Sequence, residues 1–250
     1  VFTLPQASQP ALTSDGKRLA YHSWNPQGFG LFAVSTTGSG SRNVLSRYQE
    51  SQRPRWGPDD QAIVFSFLQH TDDGDTKTVK FSDDDLSPSL PQSGFAQAAA
   101  WTPDNRLVFN ACQRAQCGLA IANTNGSGFT FLTDRPTDLA PAVSPDGEWI
   151  AYTSQQDGNW DVYRISTTGG QSVRLTTQPG KDGIPTWSPD GSYIAYASEQ
   201  NGQWAIWAMT PDGDDKRKLL DLPGSLEGKV PEFPDNVQPG WVFETISWSR

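Results

Sequence analysis

An all-β chain, made of one unit repeated around a ring, is what this sequence predicts, and three observations carry the prediction. A short phrase, fullest as IPTWSPDG at 184–191, recurs with its aspartate at Asp15, Asp59, Asp104, Asp146, Asp190 and Asp235. The spacings are 44, 45, 42, 44 and 45 residues, and a fixed period of about 40–45 residues marks a repeat architecture. Alternating apolar segments follow each copy. Turn formers separate those segments: the chain has 23 Gly and 19 Pro, and little in it could nucleate a long helix.

Each repeat opens on a strand that runs into a tight turn. Five residues before the aspartate stands Pro10, Pro54, Pro141 or Pro185, with Pro231 matching after a one-residue deletion. Three residues before it stands Leu12, Trp56, Trp101, Val143 or Trp187, a bulky group for burial. Proline usually precedes the aspartate, and Gly16, Asp60, Asn105, Gly147, Gly191 or Asn236 follows it. Proline presets φ at the first corner of a turn, and Gly, Asn and Asp tolerate a left-handed corner.

Second strands follow as RLAYHS at 18–23, AIVFSF at 62–67, RLVFNA at 106–111, WIAYTS at 149–154 and YIAYAS at 193–198. Third strands read GLFAV, GLAIA, WDVYRI and WAIWAM, and glycine-rich turns such as STTGSG and STTGGQ lead to short last strands such as SVRLT. Aromatic and β-branched residues at period two are strand signals. Four antiparallel strands in about 44 residues make one propeller blade. The expected fold is a six-bladed β-propeller, a single domain over residues 1–250. The sixth blade is short: it has one clear strand, Trp241–Ser247, and Val1–Leu4 precede Pro10 as VRLT at 173–176 precedes Pro185. Val1–Leu4 is therefore expected to join the C-terminal strands, which leaves no open edge in the ring.

These repeats, strongest at Pro141–Thr176 and Pro185–Leu220, resemble the TolB-like six-bladed β-propeller family, whose units run like PxWSPDGxxIAYxSxxxGxxDIYxMxxxGxxxxRLT. The resemblance implies the fold for most of the chain. TolB itself is a periplasmic component of the Tol–Pal envelope system and binds other proteins. Related propellers are recognition domains of serine peptidases, and one branch holds pectate-degrading lyases. The α/β domain that accompanies the TolB propeller has no counterpart before Val1.

Cys112 and Cys117 flank four residues between two predicted strands of the third blade. If that loop is a hairpin, the two stand opposite each other at a separation a disulfide can bridge; the alternative is a pair of free, half-buried thiols. A disulfide implies an oxidising compartment, periplasmic, secreted or at the cell surface. The net charge of −9 and pI of about 4.6 exclude phosphate-driven nucleic-acid binding and docking on an anionic membrane. No stretch of 18 apolar residues exists, so no membrane insertion is expected. Acidic runs at 72–75, 83–85 and 212–215 lack the ordered spacing of a calcium loop and read as solvated turns.

Catalytic constellations are scarce. There are two histidines, His22 and His70, and no HExxH, GxSxG or phosphate-loop motif. The repeated aspartates recur in every blade, which gives them a structural role. No cofactor, metal or catalytic residue is expected. A functional surface should lie on the face formed by the loops between second and third strands and by the loops between blades. Candidates there, where residues depart from the repeat, are Trp24, Arg53, His70, Asp138, Lys181 and Asp182, with Phe29, Arg47 and Tyr48 beside them. Asp138 and Asp182 hold equivalent places eight residues before their motif aspartates, which fits loop capping as well as ligand contact. Arg53 could pair with an acidic group of this chain or a partner.

The favoured reading is a non-enzymatic extracytoplasmic module, monomeric, that binds a protein or peptide on this face. The alternatives are the accessory propeller of a larger enzyme, peptidase-like or polysaccharide-acting, and a small-ligand or carbohydrate site in the central channel.

Overall fold

The computed structural model describes residues 7–23, 30–38, 43–46, 51–68, 76–82, 85–88, 95–226, 241 and 244–248. Among these residues the strands form five four-stranded antiparallel sheets, each pairing its strands in chain order. Blade one holds β1 (Ala7–Leu12), β2 (Arg18–Ser23), β3 (Gly30–Ser35) and β4 (Asn43–Ser46). Blade two holds β5 (Ser51–Trp56), β6 (Ile63–Leu68), β7 (Thr76–Ser82) and β8 (Asp85–Pro88). Blade three holds β9 (Phe95–Trp101), β10 (Arg106–Gln113), β11 (Gln116–Asn123) and β12 (Thr130–Phe131). Blade four holds β13 (Leu139–Val143), β14 (Trp149–Ser154), β15 (Asp161–Ser166) and β16 (Val173–Arg174). Blade five holds β17 (Asp182–Trp187), β18 (Ile194–Gln200), β19 (Gln203–Met209) and β20 (Arg217–Asp221). The first strands lie side by side, β1 on β5, β5 on β9, β9 on β13 and β13 on β17, so they line the axis of an all-β propeller.

The core sits between blades. Successive strand residues face opposite sides, so a strand wedged between two blades is apolar on both. Ile150, Tyr152, Tyr163 and Ile165 of blade four pack on Val108, Leu119 and Ile121 of blade three. The intervening Ala151 and Val162 turn the other way onto Ile194, Tyr196 and Met209 of blade five. Each large side chain buried in this way contributes about 1.5–3 kcal/mol.

The repeated phrase works as a local staple. The hydroxyls of Thr13, Thr102, Ser144 and Ser188 donate to their motif aspartates at 2.8, 2.5, 2.5 and 2.6 Å. Those hydroxyls in turn accept the backbone N–H of Arg18, Arg106, Trp149 and Tyr193, at the start of the next strand. The phrase also ties blade to blade: the indoles of Trp56, Trp101 and Trp187 donate to the carbonyls of Ala11, Arg55 and Ala142 in the preceding inner strand, at 3.0–3.1 Å. The aspartates are therefore structural, as their periodicity implies.

One feature of the inner strands is hidden from the repeat pattern. Each carries a β-bulge with one residue in the left-handed region: Gln9 (φ 54°), Arg53 (55°), Ala98 (54°), Ala140 (49°) and Ile184 (46°). A side chain is strained there, and the bulge is held because its N–H turns toward the neighbouring blade. Ala98 N–H donates to Ser66 Oγ at 2.9 Å and Ile184 N–H to Thr153 Oγ1 at 2.8 Å.

The C-terminal expectation is corrected. Trp241 and residues 244–248 belong to no strand; the segment instead lies against the inner strands, where side chains replace a ladder. Thr245 Oγ1 donates to Pro10 O at 3.1 Å, and Leu12 N–H donates to Ser247 Oγ at 2.9 Å. The alternation that suggested a strand is real, but it serves to aim alternate side chains. Val1–Leu4 and Asp235 lie outside the described residues.

Candidate functional site

On the loop face, the loops of blades four and five are knitted together. Asp182 opens β17 fully buried, and its N–H donates to Trp160 O at 2.8 Å. Gln178 Nε2 donates to Asp182 Oδ1 at 2.5 Å and to Ser198 Oγ at 2.6 Å, while Gln200 Nε2 donates to Gln178 Oε1 at 2.7 Å. Beside it the buried Asp161 takes Arg174 Nη2 at 2.6 Å and Thr176 Oγ1 at 3.0 Å. Asn159 Nδ2 spans the same two loops, donating to Gln178 O and Gly180 O at 2.9 and 2.8 Å. Gly180 is required here: a Cβ would sit 1.6 Å from Glu199 O.

Burial governs the charges of this network. It pushes the Asp182 carboxyl up to about 6, against the opposing effect of Ser198, Gln178 and Thr176 donors. Asp161 and Asp138 are raised for the same reason, with hydroxyls of Thr176, and of Ser154 and Thr133, pulling the other way. Asp138 is 1% exposed, and Asn110 Nδ2 donates to its carbonyl at 2.9 Å. Both candidate aspartates thus hold loops in place from beneath the surface. Above Asp138 a groove of about 360 Å³ opens between blades three and four, with exposed Asp134 and Arg135 and half-buried Gln156 among its walls.

Arg53 lies lower, in the channel. It is 6% exposed, its N–H donates to Gln9 Oε1 at 2.8 Å and its Nη1 to Gln97 Oε1 at 3.0 Å. Burial pulls its pKa down to about 9; the Glu244 charge pushes back up and Arg55 adds to the fall. Burial raises Glu244 in turn, opposed by Arg53. Glu244 is thus the acid whose charge acts on Arg53 from within the chain.

Lys181 is half-buried beside Asp182, its carbonyl accepting Glu199 N–H at 2.8 Å. Trp24 and His70, with Phe29, Arg47 and Tyr48, lie outside the described residues, as do the acidic runs at 72–75 and 83–84. Asp212 of the third acidic run pairs with Arg164 at 2.9 Å in a turn of the opposite face. His22 is fully buried in β2. Cys112 and Cys117 stand directly opposite each other on β10 and β11 and are disulfide-bonded, with Cα atoms 4.0 Å apart. Sequence reasoning missed Gln9, Arg55, Gln97, Gln178 and Glu244; Gln9 and Gln97, for instance, meet Arg53 from neighbouring blades. The signal within reach was Arg53 itself, a charge where the other described blades place Gln, Ala or Ile.

The family described as TolB beta propeller domain matches residues 87–236. Among solved structures, a TolB candidate from Agrobacterium tumefaciens superposes with TM-score 0.73 at 21% identity, covering 88% of this chain and 83% of that one. TolB from Acinetobacter baumannii gives the same TM-score at 20% identity, with this chain spanning 55% of its length. An oligogalacturonate lyase from Vibrio parahaemolyticus gives 0.62 at 13% identity, covering 88% of this chain and 68% of that one. At these identities the likeness is one of fold.

Proposed function

The chain belongs to the TolB β-propeller family, and from that premise we propose that it is a binding module, without catalysis of its own, that recognises a protein or peptide on its loop face outside the cytoplasm. The observation that carries this reading is the rigid polar rim. Gln156 N–H donates to Ser154 Oγ at 3.2 Å, Tyr163 OH to Asp157 Oδ2 at 2.7 Å and Asp138 N–H to Arg135 O at 3.1 Å, so the loops that carry Asp134, Arg135 and Gln156 are braced and present these side chains to a partner at reduced entropic cost. Lys181, and Trp24 and His70 by their place in the repeat, extend the proposed surface. The six repeats support a ring of six blades, and the Cys112–Cys117 disulfide supports an oxidising compartment.

The test is capture from envelope and secreted extract on the immobilised, disulfide-intact protein. One dominant partner is expected, lost when Arg135→Ala and Gln156→Ala are combined and kept when Lys17→Ala alters the opposite face. No partner above background, or a partner indifferent to the rim substitutions, would count against the reading. Arg53 and Asp182 are poor test positions, because both are buried and their removal disturbs the scaffold.

A further inference from the structure

The channel holds a polar site separate from the loop face. Arg53 occupies the left-handed bulge position that Gln9, Ala98, Ala140 and Ile184 occupy in the other described blades. A guanidinium is therefore not demanded by the bulge. Its setting is built rather than incidental: Gln97 accepts from its Nη1, Gln9 accepts from its N–H, and Arg55 stands close enough to repel it. A guanidinium withdrawn from water is stabilised by an anion, and its planar fork matches a carboxylate bidentately.

In this structure the acid whose charge reaches that guanidinium is Glu244, which lines the same cavity. It arrives on the segment 244–248, anchored by Thr245 to Pro10 O and by Ser247 from Leu12 N–H, with Glu244 N–H donating to Trp241 O at 3.1 Å. Glu244 and Thr245 share with Arg53, Arg55, Ala98 and Pro141 a residual cavity of about 20 Å³, room for about one water. The anchors of the segment are side-chain hydroxyl bonds that another extended segment could reproduce.

We propose that the channel is a carboxylate-binding site, built by Arg53 with Gln9 and Gln97, at which the chain stations its own Glu244 and which accepts an external carboxylate in its place. As a tethered ligand, Glu244 competes at an effective concentration in the millimolar range, so it weakens the apparent affinity for any external acid. The inference does not depend on the loop face binding a partner.

The experiment is calorimetry of the full chain with two carboxylate probes, glutarate and the peptide acetyl-Glu-Thr-Ile-Ser-amide. Glutaramide and the peptide with Gln for Glu serve as neutral controls. Glu244→Gln is expected to bind at least one carboxylate probe tenfold or more tightly than the parent chain, with the neutral controls silent. The double variant Arg53→Gln with Glu244→Gln, with near-UV circular dichroism matching the parent chain, is expected to lose that gain. Binding of the peptide alone assigns the site to an extended acidic segment, and binding of both assigns it to the carboxylate as such. Native near-UV circular dichroism with no gain in Glu244→Gln overturns the proposal, as does an undiminished gain in the double variant. In case Glu244→Gln does not fold, amide exchange at 244–248 of the parent chain is followed in saturating probe. Faster exchange supports displacement, and unchanged exchange overturns it.

Discussion

Asp182 shows what burial does to a residue whose position the repeat had already set. Its carboxyl is raised to about 6 by removal from water, despite the donors around it. The folded protein then holds this proton more tightly than the unfolded chain, so stability falls as pH rises from about 4 to about 6 and stays lower above that. Asp138, Asp161 and Glu244 are raised as well and add to the same trend. Asp182→Asn keeps an oxygen for Gln178 and removes the titration. Urea midpoints at pH 4.5 and pH 7.5 should differ less in this variant than in the parent; an equal fall in both would show that Asp182 is not responsible. The position was legible in the sequence, as a residue eight before the motif aspartate. Its burial was not, because the residues that cover it, Gln178 and Ser198, belong to a loop and a strand whose proximity is created by folding.

At the scale of the strand, the inner bulges decide how blades connect. Prolines five residues before the motif aspartates marked these strands as unusual. The strained left-handed residue just before that position emerged only from pairing with the second strand. In blade five the bulge N–H of Ile184 is satisfied by Thr153 Oγ1 of blade four, and Thr153 is fully buried. Thr153→Val keeps the shape and leaves that N–H without an acceptor, which costs about 1–3 kcal/mol. A lowered urea midpoint with unchanged m-value is the expected result. A midpoint within error of the parent would mean that the bulge is held by geometry alone.

Across the whole molecule, Trp241 ties the C-terminal segment to the ring. Its ring is fully buried, 5.1 Å from Trp204 and 6.0 Å from Trp160 by centroid, and it packs in one cluster with Leu139, Ile184 and Ile246. Gly183 leaves room for it, since a Cβ there would stand 2.9 Å from the indole. Trp241→Ala should cost about 3–5 kcal/mol and lower the thermal midpoint of the whole transition. A separate early transition with the main one unmoved would instead show that the segment docks without supporting the ring.

The repeat of about 44 residues, the four strands per unit, the turn staples and the opposed cysteines were all determined by local sequence, because turn chemistry and period-two burial act over a few residues. The course of residues 244–248 was not. A segment alternating apolar and hydroxyl side chains can pair at a sheet edge or lie along a channel, and its own residues do not distinguish the two. Tertiary structure decided it, because only folding brings Arg53, Pro10 and Leu12 to one axis, where Thr245 and Ser247 find their partners and Glu244 meets the charge of Arg53.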